Sequence, residues 1–162
     1  MNSLELPERI GEVADVKKHA ITSLSILNEA YDYPKPSSFS RGLRVDLGGV
    51  SVLLISGTAS IDERGQSVHI GDFRAQLQRT YDNITGLLTA EGATWKDIVR
   101  TTCYLRDIER DYEAFNEVRT EFFRRQGLDP LPASTGIQAI LCRPELLVEI
   151  EAIAVLPARE GK

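Results

Sequence analysis

The final strand-like run of the chain, residues 148–156, is apolar on both of its faces apart from two carboxylates. Because a strand repeats every two residues, Glu149 and Glu151 lie on the same face. Their aliphatic neighbours on that face are Ile153 and Val155, and the opposite face carries Val148, Ile150, Ala152 and Ala154. A sheet built around this strand needs cover on both sides. A carboxylate held there must be solvated at an edge, paired with a cation or used in chemistry.

Two helices are predicted upstream of this strand. Apolar residues recur at helical spacing after Asp72, which is typical of an N-cap, and Gly92 supplies the stop. A second stripe predicts a helix over residues 111–126. Together with the predicted strands, this order indicates an α+β fold with two helices on one face of a mixed sheet. The strands are expected at residues 20–30 (weakly), 43–47, 51–56, 97–107, 134–141 and 146–156, with 43–47 and 51–56 forming a hairpin around two glycines.

The uncovered face of such a sheet has no further element of this chain to pack against, so burial against other copies in a closed homo-oligomer is expected. We predict an N-terminal extension at residues 1–19, one domain at 20–157 and a tail at 158–162. The length of 162 residues suits one domain with its own core.

Bulk properties exclude several functional classes. The net charge of −5 argues against a nucleic-acid partner. No apolar run is long enough for a membrane span, and the first residues lack a secretory h-region. Cys103 and Cys142 form no CxxC pattern and are interpreted as two buried, reduced thiols of a cytoplasmic protein. His19 and His69 have no ligand at metal-binding spacing, so no metal or cofactor is expected.

Six segments, in order along the chain, resemble the RidA/YjgF family of imine and enamine deaminases. They are LISGTASID (54–62), TYDNITGLLTAEGA (80–93), DIVRTTCYLRDI (97–108), YEAFNEVRTEFF (112–123), PAST (132–135) and VEIEAIAVL (148–156). The resemblance implies a chorismate-mutase-like fold and a homotrimer whose sheets line a central barrel. It also implies small-molecule pockets in the clefts between subunits, and hydrolysis of imines related to 2-aminoacrylate without metal or cofactor.

By the same resemblance, Glu149 falls on the family's catalytic carboxylate, which orients or activates water. Ser56 and Gly57 fall on a pair that forms the pocket floor. Phe39 stands where the family has a tyrosine, so a hydroxyl is lost. The alternative for Glu149 is a structural carboxylate at a strand edge, paired with an arginine across an interface. Glu151 is interpreted as structural.

Ser134 is the main departure from the family, whose motif has at this position an arginine that grips the substrate carboxylate. A serine cannot replace a guanidinium fork, and its loss is expected to weaken binding of a 2-imino acid by roughly 10- to 100-fold. Ser134 and Thr135 either hydrogen-bond a ligand or have hydroxyls satisfied by the backbone. Arg143, in the turn before the last strand, either supplies the missing anion contact or is a solvent-exposed turn residue.

The leading hypothesis is therefore a RidA-like hydrolase or deaminase that acts on an imine, an enamine or a related carbonyl metabolite in an intersubunit cleft. Its substrate is expected to differ from the standard 2-aminoacrylate. One alternative is a non-catalytic trimeric protein that binds a ligand or regulates. The other is a chorismatase-like hydrolase of a larger cyclic acid, which the STGI sequence at 134–137 resembles.

Overall fold

A six-stranded mixed sheet forms the centre of the computed structural model, which describes residues 16–33 and 35–157. The strands run in the order β1-β2-β3-β6-β4-β5, and only the β4–β5 pair is parallel. Their bounds are β1 Lys17–Ala20, β2 Gly42–Asp46, β3 Val50–Ala59, β4 Ile98–Leu105, β5 Ala133–Gln138 and β6 Val148–Pro157. The predicted hairpin is β2–β3, in which Asp46 is paired with Ser51.

Both predicted helices are present. Helix α1, Phe73–Ala90, begins after Asp72, whose side chain accepts a hydrogen bond from the amide of Ala75. Helix α2, Ile108–Gln126, begins three residues earlier than the sequence predicts. The reason is a second aspartate cap, because the Asp107 carboxylate accepts a hydrogen bond from the amide of Arg110 and so allows an additional helical turn.

The two helices pack on one face of the sheet and bury its inward side chains. Tyr81 of α1 stacks on Phe122 of α2 with 4.4 Å between the ring centroids. Tyr81 also meets the edge of Trp95 at 5.4 Å. The fully buried core residues include Leu53, Leu77, Ile84, Leu88, Leu105, Phe115, Val148 and Ile150. The predicted α+β fold, with two helices on one face of a mixed sheet, is therefore confirmed.

The opposite face of the sheet is not covered by any of the described residues. Leu54 on β3 is 42% exposed and Val155 on β6 is 38% exposed, although both belong to central strands. At the sheet edge, every residue of β5 is exposed. Apolar side chains therefore occupy both faces of β6, as its sequence indicates, while the described helices bury only one.

The weak strand predicted at residues 20–30 is wrong, because only Ala20 lies in a strand. Residues 21–29 form a loop, in which the amides of Ile26 and Leu27 both donate to the carbonyl of Ser23. Ile21 and Leu27 are buried from this loop, which explains why their spacing did not fit the strand period. Strand β1 begins inside the predicted extension, most of which lies, with the predicted tail, outside the described residues.

Within residues 16–33 and 35–157, no helix is both long and apolar enough to cross a membrane.

Candidate functional site

A β-bulge in strand β3 provides the floor of the candidate site. Ile55 is paired with Ala152 on β6, but the next pair joins Thr58 to Ile150. Ser56 and Gly57 therefore stand opposite the single residue Glu151, and the strand bends locally. The Ser56 hydroxyl donates to the carbonyl of Ser40 at 2.7 Å, which ties the bulge to the segment before β2.

Glu149 lies beside this bulge, on the central strand β6 between β3 and β4. It is paired with Ala59 on one side and with Tyr104 on the other. A Cβ built on Gly57 would overlap Oε1 of Glu149, so the carboxylate occupies space that only a glycine leaves open. The bulge and its glycine thus allow an acidic group to lie flat against the backbone of β3.

The Glu149 carboxylate is half-buried and accepts no hydrogen bond from any described residue. Burial raises its pKa above the ordinary carboxyl value, and the nearby negative charge of Glu151 raises it further. A carboxylate with a raised pKa takes up a proton more readily than an ordinary one, which suits a general base. The neighbouring Glu151 is exposed, and its Oε1 accepts from the hydroxyl of Tyr104 at 3.2 Å.

A cavity of about 700 Å³ opens above Glu149. This volume is within the usual range of small-molecule sites. Three residues named by the sequence line it together with Glu149: Gly57, Phe39 and Arg143. Its wall also includes Tyr33, Lys35, Arg41, Cys142 and Glu145.

The turn that carries Arg143 is held in place by the side chains of the half-buried Arg106 and the buried Gln76. Nη2 of Arg106 donates to the Arg143 carbonyl at 2.6 Å. Gln76 of α1 donates to the carbonyl of Glu145 at 2.9 Å and accepts from the amide of Leu147 at 2.8 Å. These hydrogen bonds to the backbone fix the position of the turn and therefore of Arg143.

The Arg143 side chain is half-buried and lies at the cavity wall. Its Nη1 donates to the carbonyl of Gly65 at 2.8 Å and to the Ser67 hydroxyl at 3.2 Å. Its guanidinium carbon lies 5.2 Å from the centroid of the Tyr33 ring. The Tyr33 ring in turn covers Gly65, where a Cβ would overlap it.

Arg41 is a cavity residue that the sequence reasoning missed. It is only 5% exposed, and its Nε and Nη2 both donate to the Asn28 carbonyl, at 3.0 and 2.9 Å. Its guanidinium carbon lies 4.9 Å from the Tyr33 ring centroid and 5.5 Å from that of Phe39. The available signal was its position two residues after Phe39, in a segment that the resemblance already placed at the pocket.

Ser134 and Thr135 do not join this cavity within one chain. Both lie on β5, where Ser134 is paired with Thr101 of β4, three residues from the partner of Glu149. The Ser134 hydroxyl accepts from that of Thr101 at 3.0 Å and from Nη1 of Arg119 at 3.3 Å. Thr135 accepts from Nη2 of Arg100 at 3.1 Å. Two guanidiniums that sequence reasoning missed therefore stand beside the position where the family has its arginine.

The two cysteines differ in environment, which corrects the expectation that both are buried. Cys103 is buried on β4, and burial raises the pKa of its thiol. Cys142 is exposed and lines the cavity next to Arg143. The sequence offered a distinction, because Cys142 directly precedes the Arg143-Pro144 turn, whereas Cys103 lies inside a predicted strand.

The model of the endoribonuclease L-PSP family matches residues 35–156, which include every strand and helix described here except β1. The chain belongs to this family, also called the RidA/YjgF family. Among RidA/YjgF relatives, the 3-aminoacrylate deaminase RutC of Acinetobacter baylyi is 33% identical over 104 residues, which are 64% of this chain and 79% of that protein. A RutC family protein of Pyrococcus abyssi is 30% identical over 122 residues, 75% of this chain and 89% of that protein.

A solved structure agrees with the family assignment. The crystal structure of the YjgF gene product of E. coli is similar with a TM-score of 0.67 at 27% identity, covering 85% of this chain and 98% of that one. The shared fold therefore covers nearly the whole of the E. coli protein.

Proposed function

We propose that this RidA/YjgF protein is a hydrolase or deaminase that acts on an imine, an enamine or a related carbonyl compound in the cavity above Glu149. The observation that carries the proposal is the Glu149 carboxylate, which is half-buried, accepts no hydrogen bond within residues 16–33 and 35–157, and lies against Gly57 at the cavity floor. A relative that is 33% identical is named a 3-aminoacrylate deaminase, which supports this reaction class.

In the proposed reaction, Glu149 accepts a proton from a water molecule as the water oxygen attacks the carbon of the C=N bond. The proton is returned to the nitrogen, which gives a carbinolamine. Loss of ammonia then leaves the carbonyl product, and an enamine substrate enters after tautomerising to its imine. The raised pKa suits a group that must both take up and return a proton within one turnover.

The remaining predicted site residues have binding roles in this proposal. Gly57 forms the floor, Phe39 provides an apolar wall, and Arg143 contacts an anionic group of the substrate. Ser56 does not line the cavity and supports the floor through its hydrogen bond to the Ser40 carbonyl. Ser134 and Thr135 belong to the exposed strand β5, so their contribution depends on a neighbouring subunit.

We further propose a homotrimer in which the uncovered sheet face of each chain is buried and the cavity becomes part of a cleft between subunits. The support is the exposure of Leu54 and Val155 on central strands and of the whole of β5. Apolar side chains on central strands favour burial, which the single chain does not supply.

The test of the function is ammonia release from a panel of imino acids and enamines generated in solution. Wild-type protein is compared with Glu149→Gln and with Glu113→Gln, which removes an exposed carboxylate of α2. We expect a loss of 10²-fold or more with Glu149→Gln, in the range of general-base catalysis, and no change with Glu113→Gln. Equal rates for wild type and Glu149→Gln would remove Glu149 from the mechanism.

A non-catalytic role is favoured by one observation, the replacement of two expected polar groups by Phe39 and Ser134. In that case ligands bind, binding survives Glu149→Gln, and no imine is turned over. The cavity volume of about 700 Å³, with Arg143 on its wall, also suits a chorismatase-like hydrolase. Pyruvate release from chorismate distinguishes that reaction from deamination.

A further inference from the structure

The guanidinium groups of two arginines lie close to the same aromatic ring, that of Tyr33, at the wall of the cavity. The guanidinium carbons of Arg41 and Arg143 lie 4.9 and 5.2 Å from the centroid of the Tyr33 ring. All three residues line the cavity whose floor holds Glu149. Because Tyr33 also packs on Gly65, its ring fixes the position of both guanidiniums relative to the floor.

Neither guanidinium forms an ion pair with a carboxylate among the described residues. Arg44, Arg110 and Arg124, by contrast, each have a carboxylate oxygen within 3.4 Å. Arg41 donates only to the carbonyl of Asn28, and Arg143 only to Gly65 and Ser67. In the described part of the chain, Nη1 of Arg41 and both Nε and Nη2 of Arg143 have no hydrogen-bond acceptor.

Several charged groups surround this cluster, which is defined as Arg41, Tyr33 and Arg143. Burial lowers the pKa of Arg41, Glu29 partly offsets that effect, and the positive charge of Arg143 lowers it further. Burial raises the pKa of the Glu29 carboxyl, while the charge and the backbone amide of Arg41 act in the opposite direction. Glu29 therefore offsets part of the Arg41 charge, but it forms no ion pair with the guanidinium within the described residues.

The other ionisable groups of the cavity do not form an ion pair with the cluster within the described residues. Glu145 accepts a hydrogen bond from the Ser67 hydroxyl at 2.7 Å, and this bond, with a smaller effect of the Arg143 charge, lowers the pKa of its carboxyl. Lys35 adds a third cation to the lining. Glu149 forms no ion pair with any of these cations within the described residues. The unused donors of these two guanidiniums are therefore available to a bound anion.

We propose that the Arg41–Tyr33–Arg143 cluster is an anion subsite that holds a carboxylate of the ligand while Glu149 faces the rest of the molecule. The proposal rests on the proposed function, since it names an organic acid as the substrate class of the same cavity. Guanidinium donors in a fixed plane match a planar carboxylate, and the adjoining Tyr33 and Phe39 rings favour a flat, apolar body next to it.

The test measures binding of a matched pair, benzoate and benzamide, to the full chain by NMR titration. The two probes have nearly the same shape and differ in charge. We expect wild-type protein to bind benzoate more tightly than benzamide. Arg143→Gln should weaken benzoate binding by roughly 10- to 100-fold, the usual effect of losing a charge-assisted hydrogen bond, and leave benzamide unchanged. Arg143→Lys, which keeps the charge, should recover part of the loss.

Arg124→Gln is the matched control, because the exposed guanidinium of Arg124 pairs with Glu121 on α2 and does not line the cavity. It should leave benzoate binding unchanged. A loss of benzoate affinity in Arg124→Gln but not in Arg143→Gln, or equal affinity of wild type for benzoate and benzamide, would overturn the proposal. Arg41→Lys should also weaken benzoate, with its thermal unfolding measured alongside because Arg41 is buried.

The outcomes separate this inference from the catalytic proposal. If no imine is turned over while benzoate binding still depends on Arg143, the subsite stands and the deaminase function fails. If Glu149→Gln abolishes turnover while Arg143→Gln leaves benzoate binding unchanged, the deaminase function stands and the anion-subsite proposal is wrong. Glu149→Gln itself should bind benzoate at least as well as wild type, since it removes a negative charge from the cavity.

Discussion

Oε1 of Glu149 occupies the place where the Cβ of any larger residue at Gly57 would lie. Gly57→Ala should therefore push the carboxylate away or distort the bulge. We expect the free energy of unfolding to fall by about 1–3 kcal/mol, typical of overpacking, and turnover to fall with it. Urea unfolding and ammonia release measure the two effects. Gly49→Ala is the control, because a Cβ there meets open space, and a similar loss in both variants would contradict the proposed contact.

The raised pKa of Glu149 makes a prediction about stability and pH. Between the ordinary carboxyl pKa of the unfolded chain and the higher folded value, the folded protein binds more protons, so its stability falls as pH rises through this window. Glu149→Gln should remove this loss. The variant is expected to be more stable than wild type at neutral pH, with a gain that shrinks on acidification and disappears below the unfolded pKa.

Thermal or urea unfolding of wild type and Glu149→Gln across pH 3–8 tests this prediction. Glu113→Gln provides the matched loss of an exposed carboxylate and should follow the wild-type curve. A constant difference between wild type and Glu149→Gln at every pH would show that the effect comes from packing rather than from ionisation.

Thiol labelling should distinguish the two cysteines. Cys142 lines the cavity and is exposed, whereas Cys103 is buried and burial raises its pKa. We expect one of the two thiols to react with a disulfide reagent in the native protein, and Cys142→Ser to abolish that reaction. A ligand in the cavity should slow it. Equal reaction rates at both cysteines would contradict the burial of Cys103.

Leu54 offers a test of the proposed trimer. Because its side chain is 42% exposed on a central strand, Leu54→Glu should place a charge in the buried interface and give a smaller particle in light scattering. Ile70→Glu is the control, since Ile70 is 70% exposed in the segment before α1 and should leave the assembly intact. A wild-type protein that is monomeric at micromolar concentration would rule out the trimer.

The fold was largely predictable from the sequence, because most helices and strands show a hydrophobic period and are bounded by capping or turn residues. Asp72 caps α1 as expected, and the Ile98–Leu105 strand follows its β-branched sequence. The strand β1 was missed because its four residues, Lys17–Ala20, are all exposed and therefore show no alternation. Their pairing with β2 depends on backbone hydrogen bonds, which composition does not reveal.

The candidate site was less predictable because contacts distant in sequence create it. Arg41 takes its position from a carbonyl thirteen residues earlier, in a loop with no period. Ser134 and Glu149 lie in the last two of the six segments that resemble the family, yet β5 and β6 are separated by β4 in the sheet. Motif matching therefore identifies residues of one site without showing which of them meet within a chain.

The bulge at Ser56 and Gly57 also determines which of the following residues of β3 face the cavity. Before the bulge, odd-numbered residues such as Leu53 and Ile55 point into the core, and after it Thr58 takes the inward place opposite Ile150. One extra residue thus reverses the alternation for the rest of the strand and brings Ala59 to the cavity side. Deleting a residue there would not merely straighten β3. It would exchange the cavity-facing and core-facing side chains of everything that follows in the strand.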